Sequence, residues 1–109
     1  MAYDEGLATR VREALTTAVG VTEKKMFGGV GFMLGGNMAC GVLGDELVVR
    51  VGPEAYSTAL ARPAARPFDF TGRPMAGWVL VGSEGIAEDH ELEDWVAAGV
   101  AFAGTLPAK

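Results

Sequence analysis

Lys24-Lys25-Met26-Phe27-Gly28-Gly29-Val30-Gly31-Phe32-Met33-Leu34 is the stretch whose reading decides the fold. Lys25 to Leu34 reads as one long strand. Met26, Gly28, Val30, Phe32 and Leu34 fall on one set of alternate positions, and Phe27, Gly29, Gly31 and Met33 on the other. Both sets are apolar or bare, which places the strand inside a sheet. Three glycines within it remove side chains where a strand normally keeps them. That loss calls for a bulge, a close backbone approach or a packed partner, such as a helix or a second subunit against that face.

Outward from this stretch, Asp4 to Val19 reads as a first helix. Asp4 is its cap, Leu7, Val11, Ala14, Leu15 and Ala18 form its stripe, and Gly20 is its stop. Gly35-Gly36-Asn37 signals a hairpin, after which Met38–Leu43 and Glu46–Val51 read as strands separated by Gly44-Asp45. Pro53 opens a short helix over Glu54–Ala61. Phe68 and Phe70 alternate as a strand would, and Trp78–Val81 is a further strand. Asp89 caps a last helix with the stripe Leu92, Trp95, Val96, Gly99, Phe102 and Leu106. The order α-β-β-β-α-β-β-α predicts a two-layer α+β fold with an antiparallel five-stranded sheet.

The bulk numbers agree with such a fold. The chain has 109 residues, half of them hydrophobic and 21% charged, a globular composition that fits one domain over residues 1–109. No apolar run reaches the roughly 18 residues of a membrane helix. Met1-Ala2-Tyr3-Asp4-Glu5 lacks the basic and apolar regions of a signal peptide. A single cysteine, Cys40, excludes an internal disulfide, and a cytoplasmic location is expected.

Net charge is −5, unevenly placed. Glu84 to Asp94 holds six acids and no base, whereas residues 10–73 hold eight of the nine Lys and Arg. A duplex-binding protein presents a broad basic face. Here only Lys24, Lys25, Arg50, Arg62, Arg66 and Arg73 are on offer, so nucleic acid is the second choice of partner behind protein.

Val21-Thr22-Glu23-Lys24-Lys25-Met26-Phe27-Gly28-Gly29, together with the element order, resembles the TfoX/Sxy amino-terminal domain family. Asn37-Met38-Ala39-Cys40-Gly41, Val49-Arg50-Val51-Gly52, and Phe70-Thr71-Gly72-Arg73-Pro74-Met75 followed by Gly77-Trp78 resemble further segments of that family, in the same order. The resemblance implies a secretion-chaperone-like α+β fold, shared with small bacterial domains of the YgaC and YjbR type. It also implies a non-catalytic regulatory role. Family members with a second, helical domain are competence regulators that work at promoters beside the cyclic-AMP receptor protein. For this chain, whose given sequence stops at Lys109, the expectation is the domain identity and action through protein–protein contacts, with a homodimer among them.

No cofactor and no metal are expected. One Cys and one His cannot build a structural zinc centre, and the glycines fit neither a Walker loop nor a dinucleotide turn. Cys40 and His90 are the only thiol–imidazole pair, and Cys40 lies mid-strand among apolar residues, where an inert thiol is usual. The acids from Glu84 to Asp94 suit the start of a helix. The candidate binding residues are Lys24, Lys25, Phe27, Gly28, Gly29, Arg50, Arg73 and Trp78. Adjacent strand residues face opposite ways, so Lys24 and Lys25 belong to different patches. Trp78 is the aromatic residue least expected to be fully buried.

Overall fold

The structure, a computed structural model, describes residues 3–26, 28–68 and 75–107. Helix α1, Glu5–Ala14, starts where the Leu7 backbone N–H donates to Asp4 Oδ1 at 3.1 Å. Leu7, Ala8 and Val11 are its buried side. The helix stops at Ala14 instead of Val19. Thr16 turns its hydroxyl back onto the Glu13 carbonyl at 2.9 Å, so a side chain competes with the helical backbone pattern where two threonines follow in sequence.

The opening stretch folds as a hairpin and not as one strand. Strand β1, Val21–Met26, runs antiparallel to β2, Gly29–Leu34, with Val21 opposite Leu34 and Met26 opposite Gly29. Gly28 takes a positive φ of +76° at the reversal, a region open to glycine and strained for other residues. Val21 and Thr22 are β-branched and favour extended backbone. They extend the sheet by a sixth strand, where the sequence predicted five.

β3, Asn37–Leu43, and β4, Glu46–Arg50, follow through tight turns at Gly35-Gly36 and Gly44-Asp45. Positive φ at both Gly35 and Gly36 matches the predicted hairpin. Helix α2 is Tyr56–Leu60, shorter than the expected Glu54–Ala61. β5, Ala65–Pro67, lies just before the predicted Phe68–Phe70 strand, and Phe70 is outside the described residues. β6 is Trp78–Val81, as predicted. A 3-10 turn, Ser83–Gly85, leads to α3, Asp89–Ala103. Glu88, one residue before the expected Asp89, is the cap. Its N–H donates to the Glu91 side chain at 3.1 Å in a capping box.

The sheet order is β1-β2-β3-β4-β6-β5, antiparallel throughout. Val30 and Phe32, Cys40 and Val42, Leu47 and Val49, and Val79 and Val81 alternate onto the face that the helices cover. Leu92, Trp95 and Val96 of α3 close the core above them. On the other face one register row runs Lys24, Gly31, Gly41, Val48, Leu80, Arg66. Of the three glycines in the opening stretch, Gly28 serves the turn and Gly29 meets a close backbone approach. A Cβ on Gly29 would stand 2.3 Å from the Val42 carbonyl oxygen of β3.

Candidate functional site

At the end of β4, Arg50 pairs in register with Trp78 at the start of β6. Its guanidinium carbon lies 5.1 Å from the Trp78 ring centroid and 5.3 Å from that of Phe102 on α3. Phe68 extends the cluster, tilted 44° against Trp78 with centroids 6.2 Å apart. Two glycines make the arrangement fit. Gly52, at φ +88°, lets Phe102 lie against bare backbone, since a Cβ there would stand 2.5 Å from the ring. The Gly77 carbonyl accepts from the Val51 and Gly52 N–H groups at 2.7 and 3.0 Å, tying the ends of the two strands together.

Beside this cluster an open groove of about 430 Å³ runs between α2 and α3. Ala55, Ala59, Trp95, Ala98, Ala101 and Phe102 give it an apolar lining. Trp95 is 1% exposed and forms part of the core below. Arg62 lines the groove too, its guanidinium carbon 3.7 Å from the Trp95 centroid. Glu54 is the acid in the lining.

The arginines divide by partner. Arg10 reaches the Ile86 carbonyl at 2.8 Å and Asp89 at 3.4 Å. Arg12 binds Glu23 through two donors at 2.6 and 3.0 Å, a hydrogen bond that raises its already high pKa. Arg66 is paired with Glu46. Arg50 and Arg62 have no hydrogen-bonded or ion-paired acid among the described residues. They are held by aromatic faces, an interaction of about 0.5–1 kcal/mol at exposed sites, which leaves the in-plane N–H donors available.

The predicted site residues separate into two places. Arg50 and Trp78 come together, and Trp78 is half-buried as expected. Lys24 and Lys25 are exposed on β1, the edge of the sheet, with Lys24 opposite Gly31 and Lys25 opposite Val30. Val30 belongs to the core under the helices, so the two lysines do face opposite sides. With β2 and β3 between β1 and β4, three strand spacings, about 14 Å, separate the lysines from Arg50. Gly28 is exposed in the first hairpin turn and Gly29 is buried against β3, so neither joins the Arg50 cluster. Phe27 and Arg73 lie outside the described residues.

Arg62 and the groove were not found among the sequence candidates. Trp95 and Phe102 were legible only as a helical stripe, because their second role depends on α2 lying alongside α3.

Cys40 is buried on β3, and burial pushes its thiol up from 9.0 to about 12. His90 is exposed at the start of α3. A thiol raised in the folded state stays neutral there while the unfolded chain ionises, so its stability contribution is full below pH 9 and is lost as pH rises toward 12. Urea denaturation from pH 8 to pH 11 should show a steeper alkaline loss for the native chain than for Cys40→Ala. Parallel curves for the two would refute the assignment. Among the described residues no group of three His, Cys, Asp or Glu side chains could hold a metal ion. No described helix is long and apolar enough to cross a membrane.

The family model of the TfoX N-terminal domain matches residues 13–103. The chain belongs to the TfoX N-terminal domain family. The match starts near the end of α1 and runs to the end of α3, so Arg50, Arg62, Trp78, Trp95 and Phe102 all lie inside the TfoX N-terminal region. No curated protein and no solved structure matches the chain.

Proposed function

We propose that this TfoX N-terminal domain is a non-catalytic binding domain that acts in the cytoplasm by docking a partner protein at the Arg50 cluster. The observation that carries this reading is the pair of arginines held on aromatic rings beside an apolar groove. Arginine and tryptophan together are the residue types that dominate binding energy at protein interfaces. Outside the site, the Cys40 thiol is buried with a raised pKa and His90 sits on an exposed helix start.

The β1 edge is less suited to the task. Glu23, Lys24 and Lys25 stand exposed along it, and charges on an edge strand discourage pairing with another strand. The same separation of the lysines from Arg50 weakens the nucleic-acid reading, since the described residues form no continuous basic track between them.

The test is a pull-down with mass spectrometry from the host organism, using the native chain and the double variant Arg50→Ala/Trp78→Ala as baits. A partner retained by the native chain and depleted at least tenfold with the variant, at a temperature where thermal melts show both baits folded, is the expected result. Identical recovery by both baits would reject the reading.

A further inference from the structure

We infer that the α2/α3 groove receives a short acidic segment of the partner protein, seating one apolar side chain near Trp95 and Phe102 while neighbouring carboxylates reach Arg50 and Arg62. This rests on the protein-binding reading above and specifies its ligand chemistry.

Arg62 lines the groove and Arg50 borders it over Phe102, against one acid in the lining, Glu54, so the charge balance favours an acidic occupant. Two guanidiniums flank an apolar surface, and neither has an acidic partner among the described residues, whereas Arg10, Arg12 and Arg66 each have one. Each guanidinium lies over an aromatic ring, which restricts its movement while its N–H donors have no acid to bind among the described residues. That geometry suits a carboxylate and reduces the ordering cost of binding one. Alanine walls at Ala55, Ala98 and Ala101 keep the groove open, so a side chain inserted from outside can reach the partly exposed Phe102, with Arg62 covering Trp95 beside it.

The described residues of a second copy offer no segment of this kind. Its own acidic stretch runs from Glu84 to Asp94, but the large apolar residues in and beside it, Ile86, Leu92 and Trp95, are all buried in the core. The exposed large hydrophobic residue among those described is Val19, 90% exposed, whose near neighbours Thr17, Ala18 and Gly20 carry no acid. Among the described residues no acidic stretch presents a free apolar anchor, and the proposed occupant is therefore a segment of another protein.

The experiment pans a random 12-residue phage-displayed peptide library against the full chain. A synthetic copy of the most enriched sequence is then titrated by fluorescence anisotropy. Enriched peptides should carry Asp or Glu within two positions of Leu, Ile, Phe or Trp. Binding should weaken at least fivefold with Arg50→Ala and with Arg62→Ala. It should also weaken at least tenfold with Ala101→Glu, an exposed position where a carboxylate intrudes on the groove. Thermal melts of the variants within a few degrees of the native chain separate this loss from unfolding. Absence of enrichment, enriched peptides without acids, or titrations indifferent to all three substitutions would overturn the inference. If the pull-down still yields a partner that depends on Arg50 and Trp78, protein binding stands and only the acidic segment is removed. If peptides enrich as described but no such partner appears, the groove chemistry stands and the cellular role falls.

Discussion

Gly99→Val should destabilise the domain by at least about 3 kcal/mol, the cost of overpacking at its upper end. A Cβ on Gly99 would stand 2.3 Å from the Ala39 carbonyl oxygen and 3.0 Å from its carbon. Those are backbone atoms of β3, beside the register shift between Phe32 and Met33, and they cannot rotate aside as a side chain would. Either α3 lifts from the sheet or β3 bends. Replacing a helical glycine returns only a few tenths of a kcal/mol to about 1 kcal/mol of helix propensity. At roughly 4–8 °C per kcal/mol for a domain of this size, the melting temperature should fall by more than about 12 °C. Gly99→Ala should lie between the native chain and the valine variant. Calorimetry and urea denaturation measure both, and a valine variant within about 1 kcal/mol of native would contradict the close packing of α3 on β3.

Trp95→Ala should cost about 3–5 kcal/mol, the range for deleting a large buried aromatic side chain. Trp95 is among the largest fully buried side chains described, and it also supports Arg62 from below. The loss is a large share of the roughly 5–15 kcal/mol that holds a domain together. Trp78→Ala offers the contrast, because Trp78 is half-buried at the rim and should lose well under half as much. Urea midpoints for the two variants decide the matter. Equal losses would mean that Trp95 is not the aromatic floor of the core. Trp95→Phe should recover much of the stability while loosening Arg62, so its effect on peptide binding should exceed its effect on folding.

The elements that the sequence revealed are those governed by neighbours a few positions away. Asp4 was legible as a cap because its carboxylate bonds the Leu7 N–H in the next turn. Gly35-Gly36 was legible as a tight turn because both residues take positive φ. Leu92, Trp95, Val96 and Gly99 repeat at helical spacing and face the core. The errors arose where local signals competed. Met26 to Leu34 alternates like one strand, yet Gly28 turns the chain within it, and the β-branched Val21 and Thr22 complete the new strand. The apolar pattern alone could not separate one long strand from a hairpin, since Lys25, Met26 and Gly29 to Leu34 are extended in both.

For the candidate site the division is sharper. Arg50 and Trp78 were each marked as binding residues, but their pairing follows from β4 and β6 being neighbours in the sheet. Lys24 and Lys25 were marked equally and fall on the far edge. The sequence by itself determined the family, the α+β class, most turns and the core stripe of α3, because backbone preference and apolar periodicity act within a turn or a strand. Only the tertiary structure decided that Arg62 lies over Trp95, that Phe102 meets Arg50 across the bare backbone of Gly52, and that a groove opens between them. Those contacts join segments far apart in the chain. They exist because α2, α3 and the ends of β4 and β6 bury apolar surface together, and no local preference of any one residue encodes that meeting.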